Sequence, residues 1–267
     1  MMKPGQKALM PALFLGHGSP MNAIEDNVYT AGFKQIAKEL PLPKAILCIS
    51  AHWETRGTQV TAMAHPGTIH DFGGFPRQLY EQEYHAPGSP TLARLIQDTV
   101  TSTHVELNDD WGLDHGCWSV LKFLYPEANV PVVELSIDYT RPATYHYALA
   151  KELATLRTDG IMIIGSGNIV HNLRKIDWKH IEEAGFGYEW ANDFNEKVKG
   201  LILGGDHDQL IHIGKHDENY RLAVPALDHY LPLLYILAVQ SKADHVNFFN
   251  DSLVGGSLSM TSLLLKE

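Results

Sequence analysis

The chain has 267 residues, 45% of them hydrophobic, with a mean hydropathy of -0.14, enough for one large core and with no linker-like break to divide it. A net charge of -10 and the lack of any Lys/Arg run exclude an ordinary nucleic-acid binder and argue against an anionic membrane surface. Two cysteines far apart, Cys48 and Cys117, exclude a disulfide framework or a cysteine zinc site, and no apolar stretch approaches the ~20 residues a spanning helix needs. The opening MMKPGQKALMPALFLGHG makes a poor signal peptide, so a cytoplasmic location is expected.

In chain order, residues 12–16 predict a buried strand that breaks at Gly16-His17-Gly18-Ser19-Pro20, where flanking glycines leave the imidazole uncrowded. The same turn also reads as an anion cradle. Residues 30–40 carry Phe33, Ile36, Ala37 and Leu40 at helical spacing, and Pro41 ends that helix. The run Ala45-Ile46-Leu47-Cys48-Ile49 predicts a strand buried on both faces. It delivers His52 and Trp53 at its carboxyl end, where ligand sites gather in open α/β sheets. Strand, helix and strand in about forty residues make a βαβ unit, which favours a parallel sheet with helical cover.

Residues 60–64 predict another short strand. The Gly-rich stretch 68–76 (TIHDFGGFP) reads as a loop whose Phe72 and Phe75 either wall an aromatic pocket or plug the core. His65, His85 and His104 stand in polar contexts and are expected to be solvated. Ser89 caps, and Pro90 opens, a helix to residue 100. A brief strand follows at 105–107. In WGLDHGCW (111–118), Asp114 either orients His115 or caps the apolar helix 119–125 over a packed histidine.

Residues 131–137 predict a buried strand, and 144–156 a helix with His146 on its surface. The strand 161–165 ends in Gly165-Ser166-Gly167-Asn168, with His171 shortly after. A helix is expected at 188–203. His207, His212 and His216 lie in a polar region and form no tight ligand pair. Asp228-His229-Tyr230 puts His229 at the start of a helix, 231–239. A strand at 246–249 and a closing strand at 258–260 flank a glycine turn.

Fifteen histidines are the unusual count, and several apolar strands deliver imidazoles at or just beyond their ends. The expectation is that these converge on one metal ion, neutral imidazole being the commonest side-chain ligand for zinc, iron and copper. His17, His52 and His229, each at an element end, are the expected ligands. His171 and His115 are expected as acid–base residues, or His171 as a fourth ligand. The sequence contains no HExxH, DxDxDG loop, GxSxG elbow, P-loop or full GxGxxG fingerprint.

The strings LGHGSPM (15–21), SAHW (50–53), IHDFGGFP (69–76), WGLDHG (111–116), GSGNIVHNL (165–173), DHYLPLLY (228–235) and GSLSM (256–260) resemble the LigB-type (class III) extradiol ring-cleavage dioxygenases. More narrowly they resemble the 4,5-DOPA extradiol dioxygenase family, over residues 10 to 262. The resemblance implies one α/β domain spanning 1–267, with a mixed central β-sheet flanked by helices and a mononuclear non-haem metal in a cleft. It implies opening of a catechol ring beside its two hydroxyls, with both atoms of O2 inserted. Carried onto this chain, it implies that His17, His52 and His229 bind the metal, that His171 stands at its edge as acid–base residue or extra ligand, and that His115 lines the substrate side. Protocatechuate-type relatives use a glutamate as third ligand. His229 at that position gives an all-imidazole set, which suits Zn(II) as well as the Fe(II) expected for turnover.

Trp53, Phe72 and Phe75 are the expected ring walls. The expected partners are a DOPA-like or caffeate-like catechol and O2, with no nucleic acid and no membrane, in a monomer or homodimer. The rival is a zinc-dependent hydrolase on the same scaffold, since zinc on three imidazoles activates water. A non-enzymatic binding module is a third reading.

Overall fold

In the computed structural model, which describes residues 9–267 apart from 182 and 216, every residue of the first strand, β1 (Ala12–Gly16), is buried. Ala12 and Phe14 join one apolar cluster, Leu13 and Leu15 another. The next strand, β2 (Ala45–Thr55), divides the same way: Leu47 and Ile49 on one face, Ile46 and Cys48 on the other. Side chains alternate along a strand, so apolar residues at every position mean that both faces are covered.

The remaining strands are β3 (Thr58–Thr61), β4 (Val105–Asn108), β5 (Val132–Asp138), β6 (Ile161–Gly167), β7 (His245–Phe249), β8 (Leu253–Val254), β9 (Leu258–Ser259) and β10 (Ser262–Lys266). Eight of them form one sheet in the order β4-β3-β5-β2-β6-β1-β10-β7, and β8 pairs with β9 separately. The centre is parallel: β2 runs beside both β5 and β6, and β1 beside β6. The β3–β5, β1–β10 and β10–β7 pairs are antiparallel, so the sheet is mixed rather than purely parallel. The βαβ argument is local and says nothing about the last strand, β10, which returns from the far end of the chain to lie against β1. It forms at 262–266, beyond the closing strand expected at 258–260.

The helices are α1 (Val28–Ala37), α2 (Arg77–Tyr80), α3 (Pro90–Thr99), α4 (His115–Leu124), α5 (Ala143–Leu153), α6 (Glu189–Gly204), α7 (His207–Ile211), α8 (Tyr220–Ala223) and α9 (Leu231–Ala238). α1 and α4 pack on one face of the sheet, and α3, α5, α6 and α9 on the other. Asn27 and Thr30 form a reciprocal capping box at α1. Ser89 caps α3 with Pro90 in its first turn, as the sequence indicated. Each fully buried Leu or Ile in these layers contributes about 1.5–3 kcal/mol.

Two further expectations change. α4 begins at His115, four residues before the predicted start, because the Asp114 side chain accepts from the Cys117 N–H and caps it. His146 is fully buried rather than on the surface, held between the Tyr235 hydroxyl at 2.9 Å and the Asp138 carbonyl at 3.2 Å. His65, His85 and His104 are exposed. His207 and His212 are partly buried, and His216 lies outside the described residues.

Candidate metal centre

The carboxyl ends of β1, β2 and β6 lie side by side at the middle of the sheet, and the sequence has placed a polar group at each. β1 runs into His17; β2 carries Ser50 and His52; β6 carries Ser166. α4 brings His115 at its first residue, and the turn before α9 brings His229. Gly116 and Gly167 permit this crowding. A Cβ on Gly116 would sit 2.5 Å from Ser50 Oγ and 2.9 Å from the His52 ring, and one on Gly167 would collide with the His229 carbonyl oxygen. Instead, the His229 carbonyl accepts from the Asn168 N–H at 2.9 Å, fastening the start of α9 to the end of β6.

Five imidazoles meet here. Ring centroids separate His17 from His52 by 5.0 Å, His17 from His229 by 5.3 Å, His52 from His229 by 4.9 Å and His52 from His115 by 3.9 Å. The His171 ring stacks on His229 at 3.4 Å, nearly parallel at 6°. Its backbone N–H donates to the Ala223 carbonyl at 2.8 Å, and it pairs with Leu258 in an antiparallel bridge. Among the described residues, one ring nitrogen each of His17, His52 and His115 lies within 4.8 Å of the others.

The hydrogen bonds place the Nδ1 protons of His17 and His115. Ser166 Oγ donates its only proton to the Gly116 carbonyl at 2.6 Å, so towards His17 Nδ1, 2.9 Å away, it can only accept. His17 is therefore protonated at Nδ1 and bare at Nε2. His115 Nδ1 donates to Asp71 Oδ2 at 2.8 Å, which leaves its Nε2 bare as well. His52 Nδ1 lies 3.5 Å from the same carboxylate oxygen, and its Nε2 faces His17 Nε2 at 3.0 Å. In the tautomer with His52 also protonated at Nδ1, the two Nε2 atoms turn their lone pairs on each other. They are spaced close to the roughly 3.3 Å that separates two nitrogens on a tetrahedral ion with bonds of about 2 Å.

His229 adds a sharper sign: its Nδ1 has Asp228 Oδ2 at 3.2 Å, while its buried Nε2 has no hydrogen-bond partner. A buried unpaired polar atom costs on the order of 1–3 kcal/mol, and a bound cation removes that cost. Burial first, then repulsion from neighbouring imidazoles, drives His17 and His52 well below the usual histidine range. Burial and then His229 bring His171 to about 3. His17, His52 and His171 are thus neutral at physiological pH, the form that ligates metals. The residues fit a single divalent ion.

Behind them lies a layer that the sequence did not reveal. Ser50 Oγ donates to Asp114 Oδ1 at 2.6 Å, and the Asp114 N–H donates to Glu134 Oε1 at 2.9 Å. Burial, then the Asp114 carboxyl, raises Glu134 well above the carboxylate range, so this pair holds a proton. Asp114 is not what orients His115. That partner is Asp71, from the loop 68–76, which also accepts from the His115 N–H through Oδ1 at 2.8 Å.

The ring walls divide. Phe72 lies edge-on to His115 at 5.5 Å, with Phe75 edge-on to Phe72 at 5.4 Å. Trp53 does not join them. Neighbouring strand residues point to opposite faces. With His52 turned into the cluster, the Trp53 indole is 3% exposed and stacks on Trp111 at 5.7 Å and 2°.

Comparison with known proteins agrees with this geometry. A family profile described as the catalytic LigB subunit of aromatic ring-opening dioxygenase matches residues 11–261. A protein from Escherichia coli (strain K12) named 4,5-DOPA dioxygenase extradiol is 48% identical over 95% of this chain and 94% of its own length. Another of the same name from Beta vulgaris is 35% identical, over 93% and 94%. The crystal structure of an uncharacterized protein, JW3007, from Escherichia coli K12 superposes with a TM-score of 0.82 at 41% identity, covering 96% of this chain and 99% of that one.

Proposed function

This chain belongs to the LigB family of aromatic ring-opening dioxygenases and is an extradiol ring-cleaving enzyme; we propose that it opens a DOPA-like or caffeate-like catechol on one divalent metal held by His17, His52 and His229. The observation that carries the ligand set is the approach of the His17 and His52 Nε2 atoms to 3.0 Å, beside a His229 whose buried Nε2 has no hydrogen-bond partner. His115 belongs to the same cluster. Its Nδ1 is committed to Asp71, and its ring meets Phe72, so it faces the substrate. The all-imidazole set suits Fe(II) for turnover and Zn(II) as a bound ion. The relatives' dioxygenase names give no support to the hydrolytic alternative. Among the described residues, no helix is long and apolar enough to cross a membrane. Residues 1–267 acting as one catalytic domain, in the cytoplasm, as a monomer or homodimer, complete the proposal.

A divalent ion held there supplies charge that lowers the pKa of a catechol hydroxyl and a template on which diol and O2 meet. The chain's own residues do the rest. His171, stacked on His229 and neutral at pH 7, stands at the edge of the site as the acid–base residue. His115 presents a bare Nε2 to the substrate, and Asp71 behind it stabilises the imidazolium that forms if that nitrogen takes a proton. Phe72 and Phe75 bound the ring and keep water from that side.

The test is oxygen uptake by anaerobically Fe(II)-loaded protein against a small catechol panel including L-DOPA and caffeate. Uptake of one O2 per catechol with a yellow ring-opened product is expected. No uptake across the panel from iron-loaded protein refutes the proposal.

A further inference from the structure

The loop 68–76 is exposed at Gly73 and Gly74, yet one side chain reaches inward. The Asp71 backbone is open to solvent while its side chain is only 15% exposed. That carboxylate serves three groups. Oδ1 accepts from the N–H at the first residue of α4, Oδ2 accepts from His115 Nδ1, and Oδ2 also faces His52 Nδ1 at 3.5 Å. The flanking residues are engaged as well: Ile69 accepts through its carbonyl from the Trp118 indole N–H at 2.9 Å, and Phe72 packs edge-on to His115.

We infer that Asp71 is the positioning residue of the site: one carboxylate that fixes the proton on Nδ1 of both His52 and His115 and docks the aromatic loop onto α4. This rests on the metal-centre reading above. The physical case is that an imidazole shows a lone pair at Nε2 only if Nδ1 keeps its proton, and a carboxylate, having no proton to give, enforces that tautomer. Carboxylates behind ligating histidines typically change metal affinity 10- to 100-fold. Here the same carboxylate also holds a histidine on the substrate side, so the ligand His52, the acid–base His115 and the ring wall Phe72 are oriented by a single contact. Docking the loop and setting the two imidazoles become one event.

Asp71→Asn tests it, being nearly isosteric but able to present an N–H where only an acceptor stood. Two measurements are made beside wild type and the surface control Asp110→Asn. In metal-free protein with 15N-labelled histidine, ring-nitrogen NMR should show His115 as the Nδ1–H tautomer in wild type and as a mixed or Nε2–H form in Asp71→Asn. Zinc competition against a chromophoric chelator should show affinity 10- to 100-fold weaker in Asp71→Asn and unchanged in the control. An unaltered His115 tautomer, or zinc affinity within twofold of wild type, overturns the assignment. Failure of wild type to take up zinc or Fe(II) would instead sink the metal-centre reading, and the tautomer measurement still decides the role of Asp71 at His115.

Discussion

At the scale of single residues, burial decides which histidines are neutral, and the effect is measurable away from the candidate metal site. His146 is fully buried, and burial lowers it to about 4 from the usual histidine value of 6.5, against the opposing pull of Asp138. Above pH 6.5 it is neutral in both folded and unfolded chains. Between 6.5 and 4 the unfolded chain takes a proton that the folded one refuses, so stability falls as pH falls, by about 1.4 kcal/mol per pH unit. Urea unfolding of metal-free protein from pH 7 to 5 is therefore expected to lose stability on acidification, with a shallower slope in His146→Gln. Equal slopes would show that His146 titrates normally. The burial of His146 was legible in the sequence: Leu149, Ala150 and Leu153 lie three, four and seven residues on, which is one helix face. Asp71 was not. Its partners stand 44 and 19 positions away on other elements, and no spacing rule connects a loop carboxylate to them.

At the scale of elements, close approach places His229, the third of the proposed ligands. α9 is buried along its whole length, and its start reaches β6 only because Gly167 has no side chain. Gly167→Ala is expected to push residues 228–231 off the sheet, destabilising the fold by about 1–3 kcal/mol and weakening zinc binding together with it. Chemical denaturation and chelator competition on one preparation check both, and an alanine variant with wild-type values would show that the approach is not tight. Strands β1, β2 and β6 and helix α3 were readable, because apolar runs and a Ser-Pro start are local signals. The position of β10 between β1 and β7 was not, since its neighbour β1 lies some 250 residues earlier and pairing at that separation leaves no periodicity to read. The Trp53 expectation missed for a local reason, the alternation that separates it from His52.

At the scale of the whole molecule, the sheet works as a rack that brings chain positions 17, 52, 115, 171 and 229 to one point at the carboxyl ends of its central strands. Arg157 helps hold the rack. Fully buried, it pairs with Asp244 at 2.6 Å and donates to the Met10 and Val239 carbonyls, joining the approach to β1 to the segment after α9. The sequence identified the histidines that meet. The division of labour proposed for them rests on the proton positions set by Ser166 and Asp71. That division is tested most directly by metal content per chain, measured by elemental analysis after loading and desalting, in wild type and in alanine variants of each histidine. One ion per chain is expected in wild type and His171→Ala, with less than about a tenth retained in His17→Ala, His52→Ala and His229→Ala. Full retention in His229→Ala with loss in His115→Ala would mean that the wrong imidazole has been named as the third ligand.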